Sequence, residues 1–180
     1  MSTGIIGVSL SIRERLSAWP FFILCYLAYI YISLRSGYYA FSVMNTLFAI
    51  VALYGWYKWS GATNPGATAS SLRITRLPRK AWPRMLALIA AGTAIIGFIL
   101  SRMEDARLPF WDACATSNGL MAQWLLSRKH IENWIFWIIA DIIYLTFFLK
   151  DGLWPSAFLF GVFTLLACKG WHDWKVKSEK

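Results

Sequence analysis

Residues 128–152 read RKHIENWIFWIIADIIYLTFFLKDG, and residues 13–37 read RERLSAWPFFILCYLAYIYISLRSG. A shift of 115 residues, with no gap, lays the first stretch on the second. Arg13 then meets Arg128, Trp19 meets Trp134, Phe21 meets Phe136, Tyr29 meets Tyr144 and Gly37 meets Gly152. The register persists downstream through Phe48 and Phe163, Gly55 and Gly170, and Trp56 and Trp171, as far as Trp59 and Trp174. Tryptophan and glycine recurring at one fixed offset mark an internal repeat.

The composition says what kind of unit is repeated. Of 180 residues 58% are hydrophobic and 15% charged, too few charges to clothe a soluble domain. The apolar residues come in long runs rather than stripes, and a bilayer core takes about 20 such residues per helix. Six or seven spans account for nearly the whole chain. The segments expected are Gly4 to Ile12, Trp19 to Leu34, Tyr39 to Trp59, Pro83 to Leu100, Pro109 to Leu126, Ile131 to Leu149 and Leu153 to Cys168. A polar linker rich in Gly, Ser, Thr and Pro runs from Ser60 to Lys80. The fold class is thus an all-α integral membrane protein of seven helices in a 3+1+3 arrangement. Residues 1–59 form the first triplet, 60–108 the linker and connecting helix, and 109–180 the second triplet with a basic tail.

Positive charge sorts the ends of these helices. Alternating crossings place Arg13, Arg15, Lys58, Arg73, Arg76, Arg79, Lys80, Arg84, Arg128, Lys129, Lys169, Lys175, Lys177 and Lys180 on one face. The other face holds Arg35, Arg102, Arg107 and Lys150. By the positive-inside rule the first face is cytoplasmic, with the C-terminus inside and the N-terminus outside. Helices one and five are separated by an even number of crossings, so the two copies share one orientation. This is a parallel repeat of the SWEET type, with a substrate expected between the triplets near the midplane. The offset maps Pro109 to seven residues before Met1, so the first helix is about two turns shorter than its counterpart.

Polar groups inside spans are costly and generally face a protein interior or a cavity. Asp141 is the clearest, and helical spacing puts Trp134, Trp137, Asp141 and Tyr144 on one face. An acid framed by aromatic rings suits a cation, through opposite charge and cation–π attraction. The alternative is that Asp141 pairs with an internal basic residue while the tryptophans form an interfacial belt. Asn45, Asn118 and Gln123 are further candidates to orient a substrate, or else bridges between helices. Asp112 either meets an entering cation or caps its helix after Pro109. Glu132 and Asn133 are expected to anchor the start of helix six. In the paired GWxxW elements, Gly55–Trp59 and Gly170–Trp174, glycine permits close helix contact and the indoles are expected in the headgroup layer.

Other chemistries find little support. His130 and His172 form no ligand-spaced cluster, and the sequence carries no Walker A, nucleophile elbow or GxGxxG. No enzyme activity, cofactor or metal is therefore expected. The +9 net charge flanks apolar runs as topology-setting charge does, which argues against nucleic acid as a partner. Cys25, Cys114 and Cys168 sit singly in apolar runs and read as buried free thiols. Gly4 to Ile12 lacks the basic lead-in and cleavage site of a secretory signal.

The run SRKHIENWIFWIIADIIY, the preceding PFWDA, and the GWYKW and GWHDW elements together resemble the PnuC family of vitamin transporters. The resemblance covers the chain from Arg13 onward and is most specific at Glu132, Asn133, Trp134, Trp137 and Asp141. Trp19-Pro20, Tyr39, Asn45 and Gly55 to Trp59 match as well. It implies a homotrimer in the bacterial inner membrane and facilitated diffusion of nicotinamide riboside, trapped by a cytoplasmic kinase. It also implies an aromatic, amide-lined site, for which Asp141, Trp137, Trp134, Asn45, Asn118, Tyr144, Gln123 and Asn133 are the candidates. Where family members often carry an acid soon after the position of Tyr39, this chain has Phe41, and many members carry a further N-terminal helix. The alternative substrate is thiamine, another cationic heteroaromatic, or another vitamin or nucleoside carried by the same fold, since sister groups that resemble this family carry thiamine or riboflavin. A receptor or chaperone on the same scaffold is the alternative class, predicting a groove or sorting tail.

Overall fold

The computed structural model describes residues 2–37, 39–61, 72–103 and 108–179, without the side chains of Ser2, Thr3, Tyr39 and Ala40. Residues 62–71 of the linker lie outside the described residues, as do Arg107 and Lys180 of the charge pattern. Seven α-helices run through the rest: α1 (Ser2–Ile12), α2 (Ala18–Arg35), α3 (Tyr39–Trp59), α4 (Trp82–Leu100), α5 (Pro109–Ser127), α6 (Asn133–Lys150) and α7 (Trp154–Ser178). Proline opens α4, α5 and α7, where its missing N–H is no loss. Among the described residues there is no strand, only an isolated bridge between Thr75 and His130.

Three segments, Ala18–Arg35, Arg79–Leu100 and Asn133–Lys150, are long and apolar enough to cross a membrane. Helices α3, α5 and α7 are of comparable length at 21, 19 and 25 residues, while α1 has 11. At about 1.5 Å per residue, α1 rises about half the thickness of a hydrocarbon core.

Helices α1, α2 and α3 pack in sequence, as do α5, α6 and α7, while α4 lies against α5. The triplets meet through α3 with α5 and through α1 with α7. The equivalence of the two copies extends to details of backbone and packing. Gly37 and Gly152 close α2 and α6 with φ of 79° and 70°, a conformation that glycine adopts at no steric cost. Glu14 and Lys129, which the offset also pairs, turn the α1–α2 and α5–α6 corners with φ of 56° and 55°. A Cβ on Gly55 would overlap the Trp19 ring, and one on Gly170 would lie 2.6 Å from the Trp134 ring. Each glycine is therefore the seat of its own repeat's buried tryptophan.

These tryptophans form a four-membered cluster. Trp19 meets Trp59 edge-on at 5.2 Å between centroids, Trp134 meets Trp174 likewise at 5.4 Å, and Trp59 meets Trp174 at 6.5 Å. Trp59 and Trp174 are thus core residues rather than headgroup anchors, since the glycine one turn earlier opens a slot that the partner indole fills. Trp56 is the exposed member of its pair, and Trp171 is half-buried. The basic tail expected after Cys168 is likewise helical. Helix α7 continues to Ser178, with Trp174 Nε1 donating to the Ile12 carbonyl at 3.0 Å. The three cysteines are free thiols but not buried ones, since Cys25 and Cys114 are only half-buried and Cys168 is exposed.

Candidate functional site

A cavity of about 700 Å³ lies between the two triplets. At one end its lining includes Ser11, Leu126, Trp134 and Ala167, beside the tryptophan cluster. At the other end it reaches Met103, Asp112, Phe148 and Ser156, close to where α4 ends and where α5 and α7 begin.

The helical face expected on α6 does converge here: Trp134, Trp137, Asp141 and Tyr144 all line the cavity, and Asn45 of α3 joins them. Asp141 is 6% exposed and occupies a wall where the offset puts Tyr26 on the opposite copy, also a lining residue. The lining holds two carboxylates, Asp141 and Asp112, and no Lys, Arg or His among the described residues. An ion pair between Asp141 and an internal base is therefore not what stabilises it. Asn45 donates to the Phe41 carbonyl at 2.8 Å within its own helix.

Aromatic rings bridge the two copies beside this acid. Tyr26 stacks on Phe48 at 5.4 Å and 25°, and Phe48 stacks on Trp137 at 6.4 Å and 22°. Gly119 of α5 makes room for this column, since a Cβ there would sit 3.1 Å from Phe48 and 3.6 Å from Trp137. Near the other end of the cavity, Tyr144 packs on Phe160 and Phe148. Its hydroxyl donates to Asp112 Oδ1 at 2.9 Å and lies 3.3 Å from Thr116 Oγ1. Asp112 makes no side-chain cap at the start of α5, so its place is the cavity wall.

Three candidates lie elsewhere. Asn118 donates to the Cys114 carbonyl at 2.8 Å and is not a lining residue. Asn133 is fully buried and donates to the His130 carbonyl at 2.7 Å, holding the α5–α6 corner. Gln123 is fully buried outside the lining, with neither amide atom hydrogen-bonded. Tyr26, Phe148 and Phe160 also line the cavity; the only sequence signal for them is the 115-residue offset, which pairs Tyr26 with Asp141.

Below the tryptophan cluster an ion-pair network ties the repeats together. Lys129 Nζ lies 3.0 Å from Glu14 Oε2 and 4.7 Å from the Trp59 ring centre, and Lys177 Nζ lies 2.8 Å from Glu14 Oε1. Burial alone would raise the Glu14 pKa, but the hydrogen bonds and charges of Lys177 and Lys129 outweigh it and hold the carboxyl below its ordinary 4.5. The linker docks at the same end. Thr75 N donates to the Lys129 carbonyl, Ile131 N to the Thr75 carbonyl, and Leu77 N to Glu132 Oε2 at 2.8 Å. Among the described residues no group of three His, Cys, Asp or Glu is placed to hold a metal ion.

Comparison with known proteins bears on this arrangement. A family described as nicotinamide mononucleotide transporter matches residues 1–176. The nicotinamide riboside transporter PnuC of Escherichia coli (strain K12) is 22% identical over 193 residues, covering 95% of this chain and 81% of that protein. The riboflavin/roseoflavin transporter RibM of Streptomyces davaonensis is 25% identical over 189 residues, covering 98% and 83%. The crystal structure of the vitamin B3 transporter PnuC shares the fold, with a TM-score of 0.76 at 20% identity, over 98% of this chain and 79% of that one.

Proposed function

The chain belongs to the nicotinamide mononucleotide transporter family, and from that membership we propose that it carries nicotinamide riboside into the cell by facilitated diffusion. The observation that carries the choice of substrate is the cavity wall, where Asp141 has no basic partner among the described residues and shares the lining with Trp137 and Tyr26. Nicotinamide riboside is a quaternary pyridinium, flat and permanently positive. Carboxylate and ring faces in a low-dielectric cavity favour such a cation over a neutral ring system. The riboflavin-carrying relative marks the second reading, since an isoalloxazine would also stack on these rings but would leave the acid unmatched. Thiamine satisfies the acid as well as nicotinamide riboside does.

The charge pattern supports a sidedness for this reading. The end closed by the tryptophan cluster gathers Arg13, Arg15, Lys58, Arg128, Lys129 and Lys177, which suits the cytoplasmic face, so the Asp112 end faces outward. The N-terminus is then outside and the C-terminus inside. Assembly as a homotrimer follows the family resemblance, and native mass measurement in detergent tests it. With no nucleotide motif in the sequence, passive uniport is the economical mechanism.

The test is uptake by proteoliposomes of labelled nicotinamide riboside, thiamine and riboflavin in parallel, for the wild type and for Asp141→Asn. Downhill entry of nicotinamide riboside, with apparent affinity reduced at least tenfold in a folded Asp141→Asn variant, is the expected result. Entry of riboflavin alone would replace the cation reading with the flavin one, and entry of none would remove the transporter reading.

A further inference from the structure

We propose that the cavity contains a second cation subsite, centred on Asp112, where a positively charged heteroaromatic docks before it reaches Asp141. The proposal rests on the cation reading above and adds a second binding position to it.

Asp112 lines the same cavity as Asp141, in a wall that offers no positive side chain among the described residues. It is half-buried and is not spent on capping α5. The Tyr144 hydroxyl, 2.9 Å from Oδ1, fixes its orientation. Tyr144, Phe148 and Phe160 stand together beside it, with Phe148 and Phe160 centroids 5.4 Å apart, and all three line the cavity. An oriented carboxylate against three ring surfaces has the composition of a site for a flat cation.

This ring cluster is not a by-product of the repeat. The offset places Tyr29, Ser33 and Asn45 where the second copy has Tyr144, Phe148 and Phe160. Ser33 is buried on its own backbone, donating to the Tyr29 carbonyl at 2.7 Å. The first triplet thus folds in the same way without the three-ring cluster. The second copy therefore has two departures from the first on this wall: Asp141 in place of Tyr26, and the aromatic set next to Asp112.

The two acids are spaced for a hand-over. Asp141 and Tyr144 differ by about 4.5 Å of rise along α6, and Asp112 binds Tyr144. A cation at the first position is thus already within reach of the second. Passage through a membrane carrier needs sites attractive enough to enter and weak enough to leave, and two adjacent sites meet that demand better than one deep well. In this arrangement Asp112 governs how fast the cation arrives, while Asp141 governs how tightly it is held.

The test is stopped-flow association of nicotinamide riboside with the full-length protein, followed by tryptophan fluorescence across a range of salt concentrations. The variants are Asp112→Asn, Asp112→Glu and Asp141→Asn, with thermal unfolding as a check that each folds. Expected for Asp112→Asn is an association rate about tenfold lower, with a flatter salt dependence and a smaller change in dissociation rate. Asp112→Glu restores the rate. Asp141→Asn accelerates dissociation instead. If Asp112→Asn associates within twofold of wild type with the same salt slope, while Asp141→Asn loses affinity, the second subsite is refuted and the function stands. If wild type binds neither nicotinamide riboside nor thiamine, the cation reading fails and takes this site with it.

Discussion

Glu14 and Lys129 occupy equivalent places in the two repeats, with the same left-handed backbone, and bond to one another at 3.0 Å. Exchanging them is therefore neutral for the backbone, and Glu14→Lys with Lys129→Glu rebuilds the pair with reversed polarity. Either single change places like charges together where Lys129 has 7% and Glu14 24% of its side chain exposed. Breaking a fully buried pair costs about 3–5 kcal/mol and an exposed one about 0–1, so each single variant should lose about 2–3 kcal/mol. The swap should not recover everything. Lys177, 47% exposed, loses its partner for under about 1 kcal/mol, and the Lys129 contact with Trp59 goes too, a further loss of about 0.5–2 kcal/mol. A coupling of about 2 kcal/mol should remain in the double-mutant cycle, read from thermal unfolding in detergent. Because the pair joins the triplets beside the tryptophan cluster, an opening that parts the triplets at that end would be favoured about thirty-fold by loss of the same 2 kcal/mol. Uptake in proteoliposomes should therefore change in both singles and move back toward wild type in the swap. A double variant as unstable as the sum of its parts would show that the two residues do not act as a pair.

Gly55→Ala and Gly170→Ala should each cost about 1–3 kcal/mol, because the new methyl group meets a buried indole, whereas Gly161→Ala, with open space around it, should be neutral or stabilising; thermal unfolding of the three variants checks this. Burial holds the His130 pKa below 6.5, against the opposing influence of Glu132. The folded state therefore binds its proton less readily than the unfolded chain. The stability this contributes is complete above about pH 6.5 and declines as the pH falls through that value. Since His130 Nδ1 lies 3.0 Å from Thr75 Oγ1, protease cleavage of the linker should quicken below that pH in wild type and lose its pH dependence in His130→Asn.

The repeat was legible because tryptophan and glycine serve packing in pairs: Trp19 needs Gly55 and Trp134 needs Gly170, so neither can drift alone. The same logic hid Glu14 and Lys129. Complementary residues at equivalent positions look like a mismatch, and only the folded contact shows them to be partners. Helix α7 was read short because lysines after Cys168 resemble a tail, while Trp174 and Lys177 tie the extra turns to α1 and its corner. On α6 the helical period sufficed to gather Trp134, Trp137, Asp141 and Tyr144. On α5 it did not, since which face meets the cavity is settled by α3 and α6 packing against it. Asn118 and Gln123 fall away from the lining, and Asp112 falls within it.

Passive carriage of a cation has an electrical signature that no neutral substrate shares. In proteoliposomes holding an inside-negative potassium diffusion potential, each 100 mV supplies about 2.3 kcal/mol per charge, or about fifty-fold accumulation. Labelled nicotinamide riboside should accumulate to that extent with potential alone, collapse when the potential is removed, and ignore an imposed proton gradient. Equal concentrations inside and out under a sustained potential, or accumulation that follows protons instead, would contradict uniport of a cation through this cavity.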